Sequence, residues 1–377
     1  MLLVAILFIA TVFLAYSNGA NDNFKGVATL YGSNTASYNK ALIVATLATL
    51  AGAISSVFLA AELVTAFSGK GLVPDVIASD PSFLLSVAVG ASATVMLATV
   101  VALPISTTHS LIGALAGTGF VAAGSDVNLS LLGGVFLLPL LLSPLVAILL
   151  TMPFYKVAHK VTTSLGIEKE SCVCVGPSQF IPIRQFGGEA ALYAVSDAHA
   201  GVSVTIGAKS ECVDKYNGHF LGVSAQRLVD SAHYVSAGAV SFARGLNDTP
   251  KIVGLLLVVE AFDIRHSMVA IALAMAMGGL LQAKRVAHTM SKKISGMNDG
   301  QALTANLATA GLVIFASKFG MPVSTTHVSV GSITGIGIVN RSANKSVVGT
   351  ILVSWVLTLP IAAAIAAAAY VLIDLAT

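Results

Sequence analysis

Long apolar runs alternate with short polar breaks along almost the whole chain. Runs at about 1–16, 41–66, 83–103, 105–123 and 129–155 form a first group. Runs at about 220–243, 252–262, 267–283, 302–319, 322–339 and 347–373 form a second. Many approach the roughly 20 residues that a helix needs to cross ~30 Å of hydrocarbon. Others are interrupted by Gly, Pro or Asn-Asp, which predicts broken or re-entrant helices. Between the groups lies a polar segment, 156–218, with Lys156, Lys160, Glu168, Lys169, Glu170, Arg184, Lys209 and Lys215. Within it, Phe180–Ile183, Ala191–Val195 and Val202–Ile206 read as short strands. The pattern predicts an all-α polytopic membrane protein with a first membrane repeat over 1–155, a small soluble insert over 156–218 and a second repeat over 219–377.

Composition sharpens this reading. Of 377 residues, 56% are hydrophobic and only 10% charged, against roughly 25% charged in soluble domains. That excludes a soluble enzyme. A net charge of +3 is too slight a bias to suggest a nucleic-acid partner. Cys172, Cys174 and Cys212, an odd number in the polar segment, read as reduced thiols rather than a disulfide framework.

Two polar motifs occur twice in the same order. Gly19-Ala20-Asn21-Asp22 is matched by Gly245-Leu246-Asn247-Asp248. Pro104-Ile105-Ser106-Thr107-Thr108-His109 is matched by Pro322-Val323-Ser324-Thr325-Thr326-His327, with Gly113 and Gly331 following. Asp22 and Ser106 are 84 positions apart, and Asp248 and Ser324 are 76 apart, so the chain reads as a duplicated unit. Equivalent loops differ in basic residues: 68–82 holds Lys70, whereas 284–299 holds Lys284, Arg285, Lys292 and Lys293. Basic loops face the cytoplasm. The halves are therefore expected to be inverted-topology repeats, with the insert cytoplasmic and both termini outside, in a plasma membrane.

Each motif implies a chemistry. A carboxylate within a span costs at least ~2.5–3.5 kcal/mol, so Asp22 and Asp248 are candidate cation and coupling sites, together with Asn21, Asn247 and the Gln282 carbonyl. The helix-breaking glycines suggest freed backbone carbonyls as further ligands. The competing reading is structural ion pairing of Asp22 with Lys25, and of Asp248 with Arg244 or Lys251, each within one helical turn. Ser106, Thr107 and Thr108, and Ser324, Thr325 and Thr326, look like helix starts, where unpaired N–H groups suit an oxyanion. His109 and His327 are given a supporting role, as are Lys25, Lys251 and Arg244.

Together these features predict coupled binding. A divalent oxyanion beside ionised Asp22 and Asp248 would be repelled, so a metal cation or protons must neutralise them first, which makes the two ligands interdependent. The expected mechanism is symport by alternating access, with no cofactor beyond Na⁺ or H⁺ as the coupling ion. An ion channel is disfavoured because polar residues cluster at helix breaks instead of lining a continuous pore. An enzyme is disfavoured because no H-E-x-x-H or comparable ligand spacing is present. Gly-rich apolar faces leave room for a homodimer.

At the duplicated Asn-Asp and Pro-x-Ser-Thr-Thr-His motifs the chain resembles the inorganic phosphate transporter (PiT) family. That family includes sodium– and proton–phosphate symporters and related sulfate permeases. The resemblance implies transport of inorganic phosphate or another tetrahedral oxyanion through a site lined by Asn21, Asp22, Ser106, Thr107, Thr108, Asn247, Asp248, Ser324, Thr325 and Thr326. The chain departs from the family pattern at Asn23-Phe24-Lys25, where a small, alanine-rich continuation is common, and at Leu246, where alanine is usual. Sulfate is the rival substrate. Monohydrogen phosphate can donate a proton to an acceptor carboxylate, and sulfate would leave such an acceptor unpaired, so retention of both aspartates favours phosphate.

Overall fold

The computed structural model describes residues 2–164, 171–177, 202–208, 221–257 and 263–376. Among the described residues, ten helices of 15 to 30 residues dominate. In the first half they are α1 (Leu2–Asp22), α2 (Tyr38–Leu59), α3 (Pro81–Val100), α4 (Thr107–Ala123) and α5 (Leu138–Ser164). In the second they are α6 (Ala225–Val253), α7 (Ile264–Gln282), α8 (Asp299–Lys318), α9 (Thr325–Val339) and α10 (Lys345–Asp374). Among the described residues, seven helical segments are long and apolar enough to cross a membrane, while α4 and α9 are shorter, as re-entrant elements would be. Their outer faces expose large apolar side chains such as Leu47, Phe58, Leu149 and Val356, which a bilayer solvates.

Helix starts follow local chemistry. Asp80 caps α3 by accepting from Ser82 N, with Pro81 in the first turn, where its missing N–H costs nothing. Asn298 and Gln301 form a reciprocal capping box at α8, and Asn344 caps α10. Ser106 and Ser324 cap α4 and α9 with nearly identical backbone angles, φ/ψ of −100°/116° and −98°/118°. Each serine hydroxyl accepts from the histidine N–H three residues on.

The helix breaks fall elsewhere than expected. Gly19 and Gly245 remain helical; α1 gives way to a 3₁₀ turn at Asn23–Val27, immediately after Asp22. Helix α6 continues through Asn247, Asp248 and Pro250 to Val253 before its own 3₁₀ turn at Gly254–Leu256. Freed carbonyls are supplied instead by the non-helical stretches ahead of α4 and α9, which contain Pro104 and Pro322.

The glycines serve close helix crossings. A Cβ on Gly19 would collide with the Met275 carbonyl of α7, and one on Gly278 with the Tyr16 carbonyl of α1. A Cβ on Gly245 would collide with the Thr49 carbonyl of α2, and one on Gly52 with the Phe242 carbonyl of α6. Tyr16 and Phe242, Gly19 and Gly245, Thr49 and Met275, and Gly52 and Gly278 are each 226 positions apart. The two crossings are thus the same contact made twice, each time between a helix of one half and a helix of the other. Absence of side chains at such crossings lets backbones approach, the usual route to tight packing in lipid. Gly113 on the Leu359 carbonyl and Gly331 on the Pro144 carbonyl repeat the exchange for α4 with α10 and α9 with α5.

Residues Met1–Tyr155 and His233–Thr377 form one compact unit and Lys156–Ala232 a second. The second contains a three-stranded antiparallel sheet of β1 (Ser171–Pro177), β2 (Val202–Ala208) and β3 (Leu221–Ser224), in the order β2-β1-β3. Cys172 pairs in register with Gly207 on one side and Ser224 on the other. The expected strand at Val202–Ile206 lies within β2; those at Phe180–Ile183 and Ala191–Val195 fall outside the described residues. Cys172 is a free thiol, but Cys174 is disulfide-bonded, which corrects the expectation that the thiols are all reduced.

Candidate anion and cation site

The end of α1, the last turns of α6 and the starts of α4 and α9 converge in the interior of the larger unit. All ten residues implied by the resemblance are buried there, none more than 4% exposed. Two asparagines set the frame. Asn21 Nδ2 donates to Thr99 Oγ1 and to the Leu103 carbonyl, both at 3.0 Å, while its Oδ1 accepts from Ile105 N at 3.2 Å. Asn247 Nδ2 donates to the Val323 carbonyl and to Thr325 Oγ1, both at 3.2 Å, while its Oδ1 accepts from Ser317. Each asparagine therefore staples the stretch before a Ser-Thr-Thr helix to the Asn-Asp helix of its own half. Their amides are taken up by protein partners, so they position the site instead of offering a free ligand.

The carboxylates are also enclosed by donors. Asp22 Oδ1 accepts from Lys25 Nζ at 2.5 Å, and Oδ2 accepts from Thr107 Oγ1 at 3.0 Å and Asn18 Nδ2 at 3.2 Å. Asp248 Oδ2 accepts from the same Asn18 Nδ2 at 3.2 Å and lies 3.7 Å from Arg244 Nε; its Oδ1 accepts from Asn247 at 3.1 Å and lies 3.9 Å from Lys251 Nζ. The ion pairs weighed as the competing reading are thus formed. Two carboxylates share the interior with three basic side chains, Lys25, Arg244 and Lys251, so the ionised cluster carries a net positive charge without any added ion. Burial of charge at this depth is tolerable only with such pairing and hydrogen bonding.

Cross-connections tie the two halves together. Lys25 Nζ also donates to the Ile105 carbonyl at 2.5 Å and to Thr326 Oγ1 of the other half at 2.7 Å. Lys251 Nζ donates to the Val323 carbonyl at 2.7 Å and to Thr108 Oγ1 of the other half at 2.9 Å. Thr326 Oγ1 in turn donates to the Ile105 carbonyl at 3.1 Å. The His109 and His327 rings lie 4.4 Å apart between centroids, and His327 stacks on Trp355 at 3.7 Å. His327 Nδ1 donates to the Leu140 carbonyl at 3.2 Å, which fits a supporting role.

Helices α4 and α9 supply the anion chemistry. Ser106 and Ser324 satisfy only the third N–H of their helices, at His109 and His327. The first two, on Thr107 and Thr108 and on Thr325 and Thr326, have no acceptor within a helix. They add the positive end of the helix dipole to the cluster, an arrangement suited to oxyanions.

Two placements differ from expectation. Gln282 is exposed and donates to Tyr16 Oη at 3.1 Å, outside the buried cluster, because α7 ends at that residue. Asn18, which bridges Asp22 and Asp248, was not singled out. Its signal was present, since it is a polar residue in an apolar run and stands 226 positions before Arg244.

The chain matches a family model described as the phosphate transporter family over residues 18–366. It is 27% identical over 390 residues to a Pyrococcus abyssi protein assigned provisionally as a phosphate permease, covering 94% of each. It is 25% identical over 423 residues to the chloroplastic inorganic phosphate transporter 2-1 of Arabidopsis thaliana, covering 94% of this chain and 69% of that one. A solved structure described as the sodium-dependent phosphate transporter aligns over the full length of both chains with a TM-score of 0.73 and 22% identity, a likeness of fold.

Proposed function

The chain belongs to the phosphate transporter family, and from that premise we propose that it imports inorganic phosphate by alternating access, as a symporter driven by Na⁺ or H⁺. The observation that carries this reading is the meeting of both Ser-Thr-Thr helix starts with both Asn-Asp helices in one buried cluster that holds three basic and two acidic side chains. Thr107 Oγ1 bonds to Asp22, and Asn247 to Thr325 Oγ1. Any movement of an Asn-Asp helix is therefore transmitted to an anion-binding helix start.

Phosphate is preferred to sulfate on the family match. The expected carboxylate acceptor is not what favours it, since Asp22 and Asp248 already receive protein donors on both oxygens. The exchanged helix crossings and the uneven basic residues of the equivalent loops support two inverted-topology repeats. On that topology the insert is cytoplasmic and the termini lie outside. The site is enclosed, so loading requires the two halves to part on one side at a time. Counterflow in proteoliposomes tests the reading: internal unlabelled phosphate accelerates uptake of labelled phosphate if the protein is a carrier, and leaves it unchanged if it is a channel.

A further inference from the structure

Lys25 and Lys251 do more than pair with neighbouring acids. Lys25 Nζ is held by a carboxylate oxygen of Asp22, the carbonyl of Ile105 and the hydroxyl of Thr326, at 2.5, 2.5 and 2.7 Å. Lys251 Nζ is held by the carbonyl of Val323 and the hydroxyl of Thr108 at 2.7 and 2.9 Å, with Asp248 Oδ1 at 3.9 Å. Backbone carbonyls of a non-helical segment, joined by carboxylate and hydroxyl oxygens of adjoining helices, are a ligand set for an alkali cation in a membrane interior. Here each set closes on an ammonium group: the three N–H donors of Lys25 match three oxygens, while Lys251 donates to two and keeps Asp248 as an ion-pair partner at 3.9 Å. The two arrangements draw on equivalent residues of opposite halves, and both lysines are buried at 2% exposure or less.

We infer that Lys25 and Lys251 are tethered cations: their ammonium groups fill the oxygen-lined positions that a coupling sodium ion would need, so this chain loads its anion without sodium. The inference rests on the phosphate reading for the identity of the anion only. Two further points support it. A sodium ion on the oxygens around Lys25 or Lys251 would lie against a fixed positive charge in a region of low dielectric, where like charges repel strongly. The cluster of Asp22, Asp248, Lys25, Arg244 and Lys251 carries one excess positive charge when ionised, and the two helix starts add about half a charge each, which together offset most of a divalent anion's charge without a bound cation. The cost of an intramembrane carboxylate makes Asp22 and Asp248 candidate cation sites in the sequence; in the structure protein donors take up both oxygens of each.

Equilibrium binding to the purified full-length protein tests this, with ²²Na⁺ and ³²P-labelled phosphate measured separately. The wild type is expected to show no saturable ²²Na⁺ binding, and phosphate affinity in sodium and in choline is expected to agree within about twofold. Lys25→Ala is expected to gain saturable ²²Na⁺ binding, to lose about tenfold in phosphate affinity in choline, and to recover it in sodium. Saturable ²²Na⁺ binding by the wild type that Asp22→Asn abolishes would overturn the inference. So would phosphate affinity that rises about tenfold with sodium in the wild type, or a folded Lys25→Ala protein that sodium does not rescue. Should Lys25→Ala fail to fold, the wild-type measurements still decide. Failure of phosphate to bind under any condition would count against the phosphate reading, while the ²²Na⁺ measurements would still judge the tethered cations.

Discussion

Arg244 Nη2 donates to Asn18 Oδ1 at 2.5 Å, joining two residues that stand 226 positions apart at equivalent places in the two halves. Among the hydrogen bonds between the duplicated halves, this one joins equivalent positions that are filled by different residue types. Asn18 passes its own donors to both carboxylates, and Arg244 also reaches Asn23 Oδ1 and Thr49 Oγ1. A symmetric pair of arginines here would place two like charges side by side, and a symmetric pair of asparagines would leave Asp248 without its guanidinium.

Removing the arginine should unfold the interior rather than merely retune it. Arg244→Met is expected to lower stability by about 3–5 kcal/mol, the usual result of leaving a buried partner uncompensated. Adding Asp248→Asn should recover at least about 1 kcal/mol, because the two sites are in contact. Thermal unfolding of the purified variants in detergent checks this. Strict additivity of the two changes would show that they do not interact.

The helix crossings make a second prediction. Gly19→Ala should cost about 1–3 kcal/mol, since the new methyl overlaps a backbone carbonyl of α7 and cannot be relieved by a side-chain rotation. Gly238→Ala, in α6 with nothing within 4 Å of its would-be Cβ, should be neutral or stabilise by up to about 1 kcal/mol. Folded yield and unfolding temperature distinguish the two. Equal loss at both positions would refute the close-packing role.

The Ser-Thr-Thr hydroxyls are predicted to be unequal. Thr107 Oγ1 donates to the ionised Asp22, whereas Thr325 Oγ1 accepts from the neutral amide of Asn247. Bonds to charged groups contribute about 1.5–3 kcal/mol and neutral ones about 1. Thr107→Val should therefore raise the half-saturating phosphate concentration by about tenfold or more, and Thr325→Val by about fivefold. Equal shifts, or none, would remove this distinction between the halves.

Much of this arrangement was legible in the sequence because it rests on local chemistry. Proline followed by Ser-Thr-Thr specifies a capped helix start wherever it sits, and both such starts form at Ser106 and Ser324. The length of the apolar runs located most spans for the same reason. The helix breaks were less legible: a glycine signals either a break or a crossing, and only the facing Met275 and Thr49 backbones show that Gly19 and Gly245 serve crossings. The role of Asn18 depends on contacts 89 and 230 positions away in the chain, which no local pattern encodes. Gln282 was misplaced because polarity at the end of an apolar run looks the same whether it turns inward or outward. The likeness of Lys25 to a bound cation needed the Ile105 carbonyl and Thr326 hydroxyl in three dimensions.

The buried carboxylates Asp22 and Asp248 are expected to couple anion accumulation to the proton gradient. Uptake of radiolabelled phosphate into proteoliposomes tests this coupling most directly, with sodium and pH gradients imposed separately and Asp22→Asn and Asp248→Asn compared with the wild type. Saturable, concentrative uptake is expected of the wild type under a pH gradient and not under a sodium gradient alone, with none by either variant, at equal amounts of folded protein in the membrane. Wild-type accumulation by both variants would contradict it.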